Sequence, residues 1–197
     1  MDISKNSLNE TKKNLTINDK IKKIIIKHDD IIKNIQQNNF TNYDLVTGSA
    51  FLDIMPYEWF KKFYLKNINT KIVYFSINYD GYFKFYPKHR MDKKVLQLFN
   101  SDQKSKKNNK TRAVGPNCSN IIKSYFSKTH KSFLFKSNWT NVKDKNFQLM
   151  FLDFCENIIK KNKKNNLLEW LDFRKDNIFK NKSKLSVSNK DFLAIKV

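Results

Sequence analysis

The fold turns on "TKIVYFSINYDGYFKFYP", residues 70–87. β-Branched and aromatic residues dominate positions 70–79, the pattern of a buried strand. Asp80-Gly81 then reads as a turn, and beyond it Tyr82, Lys84 and Tyr86 alternate with Phe83 and Phe85. Two strands around an Asp-Gly pair predict a hairpin.

Upstream, "LVTGSAFLDIMPYEWFKKFYLKN" (45–67) combines a glycine turn, an apolar run and an aromatic cluster around Pro56, and leaves helix and strand both open. Between Thr16 and Asn38 the isoleucines at 21, 24, 25, 31, 32 and 35 fall on one helical stripe, with Thr16 or Asn18 as caps, which predicts an N-terminal amphipathic helix. Residues 1–16 are polar and without period, so they read as a mobile polar arm ahead of a single α/β domain over 17–197. Downstream, "MDKKVLQLFN" reads as a short helix with Val95, Leu96 and Phe99 inward, and 101–112 as a solvated basic loop. A helix over 119–127 would bury Ile121, Ile122, Tyr125 and Phe126, followed by a short strand or turn in "SFLFKSNW". From Asn146 to Lys161 the set Phe147, Met150, Phe151, Phe154, Cys155 and Ile158 has helical spacing. "LLEWLDFRK" is a further helix and "DFLAIKV" a terminal strand.

At 197 residues the chain is long enough to bury a core. Its 39 Lys+Arg against 18 Asp+Glu give a formal charge of +21, a field that attracts polyanions whatever the fold. Arginine occurs only at 90, 112 and 174, and Lys, Asn, Ile, Phe and Tyr, all with A/T-rich codons, are abundant. An A/T-rich genome would produce part of that excess unaided. The acidic residues have not kept pace with lysine, which favours a nucleic-acid partner. No run of about 18 apolar residues exists to span a membrane. Cys118 and Cys155 have no metal-ligand spacing and cannot form a disulfide scaffold, which points to a reducing compartment.

Little chemistry is written in the motifs. Gly48, Gly81 and Gly115 are isolated, so neither a P-loop nor a dinucleotide fingerprint can be built. His28, Asp29 and Asp30 are consecutive and have no second cluster with which to hold a metal. His89 and His130 sit among cations without a carboxylate or nucleophile nearby in sequence. No catalytic residue, metal or cofactor is expected. The aromatic cluster at Tyr57, Trp59, Phe60, Phe63 and Tyr64 reads first as core.

The strongest binding candidate is "KTRAVGPNCSNIIKSYFSKTHKSFLFKSNWTN", residues 110–141. Lys110, Arg112, Lys123, Lys128, His130, Lys131 and Lys136 recur along a turn, a helix and a strand that also carry apolar anchors. Such interleaving suits RNA, with cations on phosphates and Trp139 or Asn141 on bases or sugars.

The order of these residues resembles the bacterial and organellar small-subunit ribosomal protein two family. Thr111-Arg112 stands for that family's opening Thr-Lys-Arg, Ile121, Ile122 and Lys123 for its helix, and Trp139-Thr140-Asn141 for its closing Trp and Leu-Thr-Asn. The strand at 70–78 and Gly48 fall near that family's first core strand and entry turn, so the resemblance spans about 45–145. It implies a parallel sheet flanked by helices, and a structural constituent of the small ribosomal subunit. The expected partners are then ribosomal RNA and neighbouring small-subunit proteins, with no membrane, in a mitochondrion that encodes the chain itself. The rival expectation is a viral or linear-plasmid protein, cytoplasmic in location: a nucleic-acid binder, a nuclease using His89 or His130, or an immunity-type protein.

Overall fold

The computed structural model describes residues 5–16, 23, 25, 27–32, 35, 43–105 and 112–197. Helix α1 (Lys5–Thr16) forms where the sequence predicts an arm without regular structure. Most of the expected 16–38 helix, including Ile21 and Ile24, lies outside the described residues. Beyond Thr16, those that are described there are not helical: His28 makes a β-bridge and Ile31 and Ile32 sit in a turn. Ile31, Ile32 and Ile35 nonetheless pack into the core, and the Trp59 indole donates to the Ile31 carbonyl at 3.2 Å.

The remaining elements follow in order. β1 (Leu45–Ser49) leads through a turn at Leu52–Ile54 into α2 (Tyr57–Lys66), then β2 (Ile72–Tyr86), α3 (Asp92–Gln103) and α4 (Cys118–Phe126). β3 (His130–Lys136), β4 (Trp139–Val142), α5 (Lys145–Lys161), α6 (Leu168–Phe179) and β5 (Lys184–Lys196) complete it. The sheet runs β1-β2-β5-β3, with β4 also paired to β5. Among the described strands only β1–β2 is parallel; β5 is antiparallel to β2, β3 and β4. The parallel core that the ribosomal resemblance implies is therefore reduced to one pair. The reason lies in β5: thirteen residues from the end of the chain run antiparallel along all of β2 and fill the centre of the sheet.

The expected hairpin is absent for the same reason. β2 is one strand of fifteen residues, and Asp80-Gly81 lies inside it. Its register against β5 slips twice, between Phe75 and Asn78 and between Tyr79 and Phe83. Ile77 takes a φ of 55° at the first slip, a left-handed conformation that a β-branched residue adopts only when its surroundings impose it. Asp191 of β5 imposes it. One carboxylate oxygen accepts the Ile77 amide at 2.8 Å and the Ser137 hydroxyl at 2.5 Å, and the other accepts the Tyr74 hydroxyl at 2.7 Å. The buried Asn78 amide donates to the carbonyls of Phe75 and Lys190, closing the gap that the extra residue leaves. At the second slip Gly81 has a φ of 86°, and a Cβ there would lie 2.9 Å from Pro116.

An extra residue in a strand exchanges its two faces beyond that point. Val73 and Phe75 of β2 pair with Ala194 and Phe192, whereas Phe83 and Phe85 pair with Val187 and Leu185. In the uninterrupted β5 these partners have opposite parity, so the two groups point to opposite sides of the sheet. The helices follow them. Over the proximal half, residues 72–76 of β2 and 190–196 of β5, α2 and α4 cover one face with Trp59, Phe60, Phe63, Ile122 and Phe126. Over the distal half, residues 82–86 and 184–188, α3, α5 and α6 cover the other with Val95, Phe99, Leu152, Ile159 and Trp170. Each such fully buried side chain contributes about 1.5–3 kcal/mol. In α5 the inward stripe is Gln148, Phe151, Leu152, Cys155, Ile158 and Ile159, rotated from the expected one; Met150 and Phe154 are exposed.

Candidate nucleic-acid interface

Two helix layers staggered on opposite sides leave each half of the sheet with one face that no helix among the described residues covers. On the distal half that face carries Tyr82, Lys84 and Tyr86 of β2, with Lys184 paired to Tyr86, Ser186 paired to Lys84, and Asn141 of β4 bonded through its amide to the Ser186 hydroxyl at 3.0 Å. The strand then leaves the sheet through Pro87, and Lys88, Arg90 and Lys93 rise beside it. Together with Phe83, Phe85, His89 and Leu96, which reach it from the side that α3 covers, these elements line a groove of about 620 Å³ that extends past the edge of β2. Tyr82 and Tyr86 are 51% and 62% exposed, high for rings that belong to a strand.

The charges around the groove are mostly uncompensated. Lys84, Lys88, Lys93 and Lys184 are exposed, and no carboxylate among the described residues pairs with them. Arg90 is held by Glu169 through two contacts of 2.8 and 3.0 Å. Asp92, the acid that lines the groove, is turned inward: it accepts from the Trp170 indole at 2.7 Å and pairs with the guanidinium of Arg174. Arg174 is fully buried, donates to the Pro87 carbonyl at 2.5 Å, and lies over the rings of Phe85, Trp170 and Phe173 at 5.2–5.3 Å. Burial lowers its pKa, and Asp92 opposes that shift. This buried cation fixes residues 87–92, and so sets the rim on which Lys88 and Lys93 stand.

The residues singled out in the 110–141 segment do not converge. Lys110 lies outside the described residues. Arg112 is exposed, and Lys123 and Lys128 stand on and just after α4, Lys128 with its amine 5.5 Å from the Tyr125 ring centre. Lys131 and Lys136 point to opposite faces of β3, since they are five residues apart. Lys131 covers Phe133 at 5.7 Å. One member, His130, is corrected to a core position, and another, Trp139, is half-buried against the core. His130 is 4% exposed, its Nε2 donating to the Thr70 carbonyl at 2.9 Å and its Nδ1 accepting from Thr129 at 2.8 Å. Burial pushes its pKa below the ordinary imidazole value, partly offset by the Thr70 carbonyl, so the ring is a neutral structural group. Trp139 packs edge-on against Phe147 at 5.1 Å and lies half-buried against the distal core. Of the described members of the set, Asn141 alone lines the groove.

The groove residues carry a signal in the sequence nonetheless: Tyr82, Lys84 and Tyr86 at alternate positions of a strand must share a face. Lys88, Lys93 and Lys184 carry no such signal, because a chain rich in lysine offers many equivalents.

Other candidate chemistry is inward or engaged. Cys118 and Cys155 are buried, and burial raises both thiols, Cys118 to about 12. His89 accepts the Met91 amide on Nδ1 at 3.2 Å and lies on the Phe173 ring at 4.8 Å. Among the described residues no three His, Cys, Asp or Glu side chains gather as a metal site, and no helix is long and apolar enough to cross a membrane. No protein-family model matches the chain, and a search of curated proteins returns no match.

Proposed function

We propose that the chain binds nucleic acid, that the groove on the distal open face is where it does so, and that the work is binding without a bond-breaking step. One observation carries this reading: four lysines without a counter-charge among the described residues share one concave surface with two exposed tyrosines, and the one described carboxylate that lines it is already bonded to Arg174 and Trp170. Lysines in such a place neutralise phosphates and release counterions, and the exposed rings offer flat apolar surface to bases. A narrower version, that the ligand is the RNA of a small ribosomal subunit in a mitochondrion, is supported by the resemblance of residues 110–141.

Ultraviolet crosslinking of the protein in its native extract tests both levels. Crosslinked peptides should fall in 82–93 and 184–186, and the RNA attached to them should be small-subunit ribosomal RNA under the narrower version. Crosslinks confined to 112–136 would overturn the placement in the groove, and attachment to other RNAs would overturn the ribosomal version alone.

A further inference from the structure

The spacing of the two tyrosines specifies the form of the ligand. We infer that the groove takes a single-stranded segment, with one base laid on Tyr82, another on Tyr86, and an intervening phosphate on Lys84; this rests on the nucleic-acid reading of the same groove. Tyr82 and Tyr86 are four residues apart on one strand, so their attachment points lie about 13 Å apart at roughly 3.3 Å per residue. Lys84 stands midway on the same face. In a duplex strand successive bases stack about 3.4 Å apart. Two separated rings therefore find no free base surface on a duplex, where each base is covered by its neighbours. They require a strand whose bases have been unstacked, and such bases gain more from an aromatic platform than from water.

The surroundings agree with an opened strand. A groove of about 620 Å³ has the volume of a site for one or two nucleotide-sized groups and does not admit a double helix. Among the described residues Tyr82 and Tyr86 pack against no other ring, although most other large rings there do. Lys184, directly across from Tyr86, and Lys88, beyond the end of the strand, continue the line of cations past the second ring. Stacking of this kind tolerates any base, so the site selects strandedness in preference to sequence.

The test uses the full chain and oligonucleotides of equal length: single-stranded RNA, single-stranded DNA, the matched duplexes, and a single strand in which abasic positions keep every phosphate but remove alternate bases. Both single strands should bind at least tenfold tighter than the duplexes at equal salt, and the abasic strand should lose about that factor. Tyr82→Ala and Tyr86→Ala should each weaken single-strand binding roughly tenfold while leaving the salt slope and duplex binding unchanged, and Tyr82→Phe and Tyr86→Phe should bind like the parent. Equal affinity for single and double strands, or an abasic strand that binds as well as the intact one, overturns the inference while leaving the polyanion reading standing. Absence of binding to every oligonucleotide overturns both. The abasic strand reads the role of the bases without altering the protein, so a variant that fails to fold does not blur the result.

Discussion

The two open faces of the sheet are built from the same pair of long strands and are chemically unlike. The proximal one presents Leu45 and Thr47 of β1, Ile72 and Tyr74 of β2, Leu193 and Ile195 of β5, and Phe133 and Phe135 of β3, with Lys131 as its one lysine. The distal one presents Lys84 and Lys184 between Tyr82 and Tyr86, with Lys88 and Lys93 at its rim. A lysine excess that came from codon usage alone would fall on exposed strand positions of either face alike. On strand positions the distal face holds two lysines, Lys84 and Lys184, against one on the proximal face, and Lys88 and Lys93 add two more at its rim.

The first way to break the comparison is to remove what holds the distal half. Arg174 joins α6 to Asp92, to the Pro87 carbonyl and to three aromatic rings, and it is fully buried. Arg174→Ala strands Asp92 and the carbonyl, and should cost about 3–5 kcal/mol in urea unfolding. Binding at the groove should fall with it, because the 87–92 segment loses its anchor. An Arg174→Ala protein of parental stability would mean that the rim is held by something else.

The second concerns Asp191, at the point where the faces exchange. Asp191→Ala removes three hydrogen bonds to a carboxylate and leaves Ile77 without the partner that holds its left-handed backbone, a loss of about 2 kcal/mol. Burial raises the Asp191 pKa, but bonds from Ser137, Tyr74 and the Ile77 amide outweigh it and hold the group below its ordinary value. A carboxyl with a depressed folded pKa contributes stability that is complete above its unfolded pKa, about 4 for aspartate. That contribution is lost as the pH falls through the lower, folded value. Unfolding free energy measured from pH 6 downward should therefore decline less steeply in Asp191→Ala than in the parent, and parallel curves would contradict this account of the bulge.

These two residues also mark where the sequence stops being readable. The strand at 70–79, the helix at 119–127 and the one at 146–161 are all present, because local composition and period decide them and the environment agrees. Asp80-Gly81 fails as a turn because β5, over a hundred residues away, supplies enough pairing to keep β2 in one piece; no local rule contains that partner. The face exchange at Ile77 is illegible for the same reason, since Asp191 and Asn78 create it across the sheet. The candidate site follows suit: Tyr82, Lys84 and Tyr86 are visible as an alternating trio, but that they lie on an uncovered face depends on which side α3, α5 and α6 choose. Cations are dense along residues 110–141, yet the described ones are spread apart by folding around α4 and β3, and His130 and Trp139 are drawn inward by the apolar groups beside them.

The central claim, that the groove and not net charge alone binds nucleic acid, is tested most directly by two triple variants carrying the same charge change. Lys84→Gln/Lys88→Gln/Lys184→Gln removes three groove cations, and Lys123→Gln/Lys128→Gln/Lys136→Gln removes three from α4, the turn after it and β3. The affinity of each for a single-stranded RNA is measured across a salt series, with thermal unfolding to establish that both remain folded. The groove variant should lose about two from the slope of log affinity against log salt, at roughly 0.7 per phosphate contact on a single strand, while the other keeps the parental slope. Equal losses in the two variants would contradict the claim and return the protein to a diffuse basic surface.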